Sequence, residues 1–452
     1  MREFTTVSVL HQGNLALALA PALTPKGLEQ NPLFFSGRIK KPLILARGLL
    51  LLADIAATRY FQYQPVVLRD PVLSAQGDRL RAECFSACNG VYARMDLLQD
   101  ALDGEIAYGT TNVDIGLELR KSLMQVGQED ALHLQIGDDG LRAFHTAKEK
   151  DAFSKLTKLV RERPVEMPDR WIRALGNCVE IHKSMQRVFE LKGMPAKQFI
   201  ASLPPATGKE QAGWLSYSRS GAKLSLVKSK DSVYISGLHR LSALKRVMGD
   251  AEEIAFYAPK DGEKGPVLLE LKLPGAKLVL SLTAQSYQAY SGEGALLEHL
   301  AKQEILEHAD SVASLLQFES KIDCGQLARN LQLSGSEMES ALSVLAVSGK
   351  LGYDVEEGSY FHRELPDEPE RVLKDNPRLI GARKLLDKVS DLGDGLWIVK
   401  SEDLEYRVHY RREEALQEAK CSCTWYLRHQ NGRGPCKHIL AVKLKDGGED
   451  AL

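Results

Sequence analysis

Two short cysteine-bearing pairs, Cys421-Ser-Cys423 and Cys436-Lys-His438, constrain this chain more than anything else in it. Three soft thiolates and one imidazole within one short segment make a complete donor set for zinc. On a strand, residues i and i+2 point to the same face, so Cys421 and Cys423 are expected to grip one ion from a hairpin edge. Cys436 and His438 cannot be neighbours on one helix face, where the spacing is three or four. They fit a helix start, with Pro435 and Cys436 opening it and Ile439, Leu440 and Val442 turned inward. A helix N-terminus there favours the thiolate. Gly432 and Gly434 let the intervening loop fold back. Four protein donors leave no position open for water or substrate, which is the arrangement of one structural Zn²⁺ rather than a catalytic one. Lone cysteines are ordinarily core residues; two tight pairs in one segment are not explained that way.

The remaining cysteines, Cys84, Cys88, Cys178 and Cys324, are scattered, so a disulfide framework is not expected in a chain of 452 residues. A formal net charge of −1 excludes a globally basic nucleic-acid binder, and any basic surface must be local. The start of the chain, Met1-Arg2-Glu3-Phe4-Thr5-Thr6, has no apolar signal core. The most apolar run, Leu43 to Ala56, is interrupted by Arg47 and Asp54 and is too short to span a bilayer. It is expected as a buried helix opened by Pro42. These features point to a reducing cytoplasm and no membrane.

The expected fold is α+β and multidomain. Residues 1–150 form an N-terminal α+β domain, with extended segments at 72–85 and 91–98 and a turn at Asp138-Asp139-Gly140 after the alternating Leu132–Ile136. Residues 151–290 form a second α+β region. It is helical around Trp171, Ile172, Leu175, Val179 and Ile181, and strand-rich from about 214. Residues 291–365 give helix, helix, turn, helix, hairpin, the plan of a winged helix. Asp323 is placed as an N-cap, and Met338, Ala341, Leu342 and Leu345 form one stripe. Residues 366–380 are an acidic, Pro-broken linker, and 381–452 a ββα zinc domain.

Cys-x-Cys, a spacer and Cys-x-His, preceded by strands and followed by a helix, resemble the SWIM zinc finger, with Cys421, Cys423, Cys436 and His438 on its four ligand positions. That resemblance implies contacts with DNA or protein. Phe34–Gly37, Phe85–Leu97, Gly109–Asp114 and Tyr360–Pro366 are similar to segments of bacterial SWIM proteins encoded beside MoxR-type AAA+ ATPases and von Willebrand A domain proteins. This second resemblance implies an adaptor or scaffold subunit in such a multi-protein system. It implies no reaction.

Between Lys420 and Lys445 there is no Asp or Glu, while Lys420, Arg428, Arg433, Lys437, Lys443 and Lys445 surround Trp425 and Tyr426. Cations interleaved with aromatics suit phosphate contacts and base stacking. Equally, the aromatics can pack a small core while the cations are solvated. The winged helix points away from nucleic acid: Glu337, Glu339, Ser340 and Ser343 are expected on the face of its third helix, and Asp354, Glu356 and Glu357 on its wing.

Ala206-Thr-Gly-Lys-Glu210 lacks the spacing of a phosphate-binding loop. Cys84 with Cys88 is a weak redox or metal pair. Thr110, Thr111, Asn112 and Asp114 form a polar cluster, expected in a loop, on which an enzymatic site in residues 1–290 could be built. His182, His239, His299 and His308 stand apart from any nucleophile or acid pattern. A binding function is therefore expected, carried by protein partners or by nucleic acid at the basic zinc segment, and no enzyme.

Overall fold

A computed structural model describes residues 3–4, 7–11, 13–65, 69–127, 132–137, 163–165, 167–168, 170–290, 303–365, 377–401, 404–411, 418–429 and 435–446. The turn expected at Asp138–Gly140, the linker start at 366–376, and Gly432, Arg433 and Gly434 lie outside these residues.

The largest element is a ten-stranded antiparallel sheet. Its strands run, in spatial order, Met185–Lys192, Glu253–Pro259, Val267–Leu273, Ala276–Leu282, Val91–Leu98, Arg79–Phe85, Val72–Gln76, Tyr108–Asn112, Ala22–Thr24 and Gly27–Glu29. Val91–Leu98 lies against Ala276–Leu282 along seven residue pairs. The sheet, and one hydrophobic core, therefore run across the boundary expected at residue 150. A second sheet of five strands contains Leu33–Ile39 and Leu132–Gly137. The helix expected around Trp171–Ile181 is Arg170–Lys183, and it stops just before a strand at Met185–Lys192, well ahead of the strand-rich region expected from about 214.

Alternation along the central strands decides what covers each face. Leu80, Ala82 and Cys84 share one side with Val91, Ala93, Met95 and Leu97. The helix Pro42–Ala56 lies on that side, and Gly48 brings its backbone so close that an added Cβ would collide with the Met95 sulfur. Twelve of its residues are buried, including Leu49 to Leu52, as expected for a core helix. The opposite side carries Arg79, Arg81 and Glu83, then Tyr92, Arg94 and Asp96, then Lys277 and Glu270. This charged face is buried too, because a second layer lies on it.

That layer is built from the helices Gln303–Ala313, Cys324–Leu331 and Gly335–Val347 and the hairpin Leu351–Asp354 with Ser359–His362. Asp323 caps its helix by accepting from the Gln326 N–H, and Ser334 and Glu337 form a capping box on the next. Met338, Ala341, Leu342 and Leu345 are buried as the stripe requires. Ser343, expected on an exposed face, is buried as well and bonds Glu180. Its helix packs on Arg170–Lys183, where Gly176 approaches the Ala346 carbonyl to within 2.7 Å of an added Cβ.

The acids of the hairpin are consumed by the sheet beneath them. Asp354, fully buried, lies 2.6 Å from Arg94, 2.9 Å from Lys277 and 3.6 Å from Arg81. Glu357 pairs with Arg79 at 2.7 Å and Glu356 with Lys272 at 2.6 Å. Just past the hairpin, Arg363 reaches both oxygens of Glu83 at 2.7 and 2.8 Å, and its other nitrogens donate to the Gly349 and Leu351 carbonyls. The Phe361 ring lies under Arg81, 3.7 Å from centroid to guanidinium carbon. Burial raises the Asp96 carboxyl, but Arg81 and Arg94 outweigh it and hold the group at about 2. Asp354 is held still lower by Arg94, Lys277 and Arg81. Glu270 goes the other way, pushed up to about 8 by burial against the pull of Lys277.

Candidate metal centre

The zinc-donor segment belongs to a four-stranded antiparallel sheet, Val389–Asp391, Leu396–Ser401, Leu404–His409 and Lys420–Cys421. Three helices accompany it: Pro377–Arg383, Thr424–His429 and Lys437–Asp446. The expected ββα plan is therefore enlarged by two strands and two helices. Val399, Val408, Ile439, Leu440, Ala441, Val442 and Leu444 close a core around the donors.

Cys421 ends the last strand, paired with Val408. Cys423 is not on that strand, as i, i+2 spacing had suggested. It stands at the start of Thr424–His429, where the Tyr426 N–H points at its sulfur at 3.4 Å and the Leu427 N–H bonds its carbonyl. Cys436 stands before Lys437–Asp446 in the same way, with the Ile439 N–H at its sulfur and Leu440 N–H on its carbonyl. Two of the three sulfurs thus sit at helix N-termini, where orphan N–H groups favour negative charge. His438 is in the first turn, and its Nδ1 lies 3.8 Å from Cys421 Sγ.

All four donor atoms lie within 4.8 Å of one another and all four residues are buried. Tetrahedral Zn–S and Zn–N bonds imply donor separations of roughly 3.5–3.8 Å, so only a small contraction closes the set on an ion. The donors form a site for one structural zinc ion. Hydrogen bonds from the Cys421 and Cys436 thiols hold the Cys423 sulfur far below the ordinary thiol range, so thiolate character is already favoured there. The Tyr406 ring stacks on the His438 imidazole at 4.1 Å. Arg378 donates to the Pro435 carbonyl at 2.7 Å and lies over the Trp425 ring, which anchors the chain entering Cys436.

Residues 406–447 match the family model of the SWIM zinc finger. No curated protein matches the chain. A solved structure, Proliferating Cellular Nuclear Antigen from Entamoeba histolytica, is similar over 56% of this chain and 99% of its own, at 11% identity and a TM-score of 0.33. A likeness that low carries no argument.

Around the SWIM segment the expected nucleic-acid residues divide. Lys420 and Arg428 are exposed, and no described carboxylate pairs with their side chains. Lys437 is half-buried and bonds Ser401 Oγ at 3.2 Å. Lys443 and Lys445 are half-buried in the last turn of their helix, and Trp425 is half-buried beneath Arg378. Arg407 was not singled out from sequence because it lies outside the acid-free run. It is exposed on the strand that pairs with Lys420.

Elsewhere, Thr110, Thr111 and Asn112 are on a buried strand rather than a loop. Their polar atoms serve the scaffold: Thr110 bonds Ser74 and the Glu364 N–H, Thr111 the Ala20 and Pro21 carbonyls, Asn112 the Asp70 carbonyl. Asp114 accepts from the Ser8 N–H. Ala206–Glu210 is a loop, as expected, with Glu210 accepting from Ser236. The Cys84 thiol points at the Leu52 carbonyl, while the Cys88 sulfur lies beside the Ser86 hydroxyl. His182 and His239 are core residues; burial, with Arg94 nearby, lowers His182 to about 3 and keeps it neutral. An open groove of about 830 Å³ lies on the helix-and-hairpin layer between Lys183, Asp323, Cys324, Met338, Tyr353 and Tyr360. Among the described residues no helix is long and apolar enough to cross a membrane.

Proposed function

We propose that this protein is a cytoplasmic, zinc-stabilised adaptor that holds protein partners in a MoxR-type ATPase and von Willebrand A assembly. The carrying observation is the closed donor set, Cys421, Cys423, Cys436 and His438, which supplies a rigid module and no reactive position. The layer of residues 303–362 is read as a winged helix converted into a spacer. Its third helix packs against Arg170–Lys183 and its hairpin is clamped to the sheet, so neither is free to enter a DNA groove. Three segments that carry the MoxR-linked resemblance, 85–97, 109–114 and the described residues 360–365, meet at that clamp through Arg94, Thr110 and Arg363. This supports a scaffold shared with those proteins. The role proposed is binding rather than catalysis: Asn112 and Asp114 spend polar atoms on backbone groups.

A second reading, DNA or RNA binding by the zinc module, is favoured by Arg407, Lys420 and Arg428, exposed and without carboxylate partners among the described residues. The test is a pull-down of the full-length protein from its host with and without chelation of zinc, alongside retention on DNA across a salt gradient. Adaptor function expects an ATPase and a von Willebrand A protein that are lost on chelation. Steeply salt-dependent retention on DNA with no protein partner overturns it in favour of the second reading.

A further inference from the structure

A second acid-free basic stretch lies far from the zinc module. Residues 211–230 contain Arg219, Lys223, Lys228 and Lys230 and no Asp or Glu. They fold into the hairpin Ala212–Ser218 with Gly221–Ser225, completed by Ser232–Ser236 into a three-stranded sheet. Gly221–Ser225 is an outer strand, and no described strand pairs with its free side. Ala222 and Leu224 pack toward the core, so Lys223 on the alternate face projects into solvent. Directly after the strand, Leu226 and Val227 are 90% and 74% exposed, more than any other large apolar side chain described.

The helix Met194–Ser202 packs against the Gly221 end of this strand. Beyond it, a strand edge with no described partner strand, beside protruding aliphatic residues, is a template for strand addition, which native proteins usually blunt. Lysine on the edge is one blunting device, and here it acts selectively. A second copy of this chain pairing edge to edge would set cation against cation. An acidic strand would not. Lys228 is already held by Glu263 at 3.3 Å and lies over Trp214, whereas Arg219, Lys223 and Lys230 have no carboxylate partner among the described residues. We propose that Gly221–Ser225 takes up an extended, acidic segment of a partner protein by β-augmentation. Its backbone pairs with the free edge, its carboxylates meet Arg219, Lys223 and Lys230, and its apolar side chains cover Leu226 and Val227. The site is independent of the zinc module, so it survives failure of the adaptor reading given above.

The test uses the full-length protein and a fluorescein-labelled peptide of alternating Glu and Val. Binding is expected, weakened at least about tenfold by N-methylation of consecutive peptide amides, which leaves charge intact but removes the donors on both edges of the peptide strand. The double variant Lys223→Glu, Lys230→Glu is expected to weaken it by about tenfold, and Leu226→Ser by a smaller factor, with unchanged melting temperature. Three results overturn the proposal: no binding by the wild type, equal binding of the N-methylated peptide, or equal binding of a Lys-Val peptide. Capture by phosphatidylserine vesicles without peptide binding also overturns it and assigns the surface to an anionic membrane. If the charge variant misfolds, the wild-type comparison of the two peptides still decides.

Discussion

The zinc module and the clamp beneath the hairpin both bury polar groups, but they satisfy them differently. In the zinc module the donors converge from residues 421 to 438, two of them through helix starts set by local sequence. In the clamp the partners are far apart: Arg94 with Asp354, Glu83 with Arg363, Lys277 with Asp354. The first needs an external ion to become stable. The second is neutralised internally, each charge facing an opposite one in a neighbouring strand or in the covering hairpin. Removing a partner therefore has different consequences in the two places, and four measurements separate them.

The largest effect is expected at the metal. Cys423→Ser or His438→Ala should abolish retention of one zinc per chain by metal analysis and expose residues 377–446 to protease. The stabilisation lost is on the order of 10 kcal/mol, because structural zinc binding is folding energy for a module this small. Wild-type protein purified without zinc would break the comparison at its root.

The clamp comes next. Asp354→Ala leaves Asp96 as the one acid shared by the buried Arg94 and Arg81 and removes the nearest acid from Lys277, and a cost of about 3–5 kcal/mol is expected from denaturant unfolding. Arg363→Ala should act similarly through Glu83 and the two carbonyls it leaves unpaired. Zinc content should not change in either variant. A loss of zinc in Asp354→Ala would show that the two regions stand or fall together.

A smaller effect concerns Glu270. Its carboxyl, raised by burial to about 8, keeps a proton in the native state that the unfolded chain has released. Stability is then fully present below the ordinary glutamate range and declines as pH rises toward 8. Asp96, held near 2 by Arg81 and Arg94, has the opposite sign: its contribution is present above the ordinary aspartate range and lost as pH falls toward 2. Glu270→Gln should flatten the decline on the alkaline side and leave the acid side unchanged, measured as melting temperature against pH. The smallest effect is on the surface. If nucleic acid binds the zinc module, Arg407→Ala and Lys420→Ala should each reduce the salt slope by about one, without altering stability.

Legibility follows the same division. Asp323 as an N-cap, the stripe Met338, Ala341, Leu342 and Leu345, the Pro42 helix and the helix behind Cys436 were all readable, since each is set by neighbours within a few positions. Cys423 lies on a different element from the one its spacing permits: Cys-x-Cys fits a strand, but the strand ends at Cys421 and a helix starts at Thr424. Asp354, Glu356 and Glu357 are legible as acids on the wing, but their partners are not: in the fold they neutralise Arg94, Lys277, Lys272 and Arg79, all distant in sequence.

The sequence by itself determined the zinc donors, the Pro42 helix, the helices capped at Asp323 and Ser334 and several strands of the large sheet, because capping, side-chain alternation and paired ligands act over short separations along the chain. Only the tertiary structure decided that one sheet joins residues 22–112 to 185–282, and that its charged face lies inside. Arg79, Arg81 and Glu83 alternate with apolar residues as they would on a strand with one wet face. A charged face can be buried only where every charge meets an opposite one: Asp96 on the neighbouring strand serves Arg81, and the rest is supplied by a hairpin some 260 residues further along the chain, as the Arg94–Asp354 bond shows.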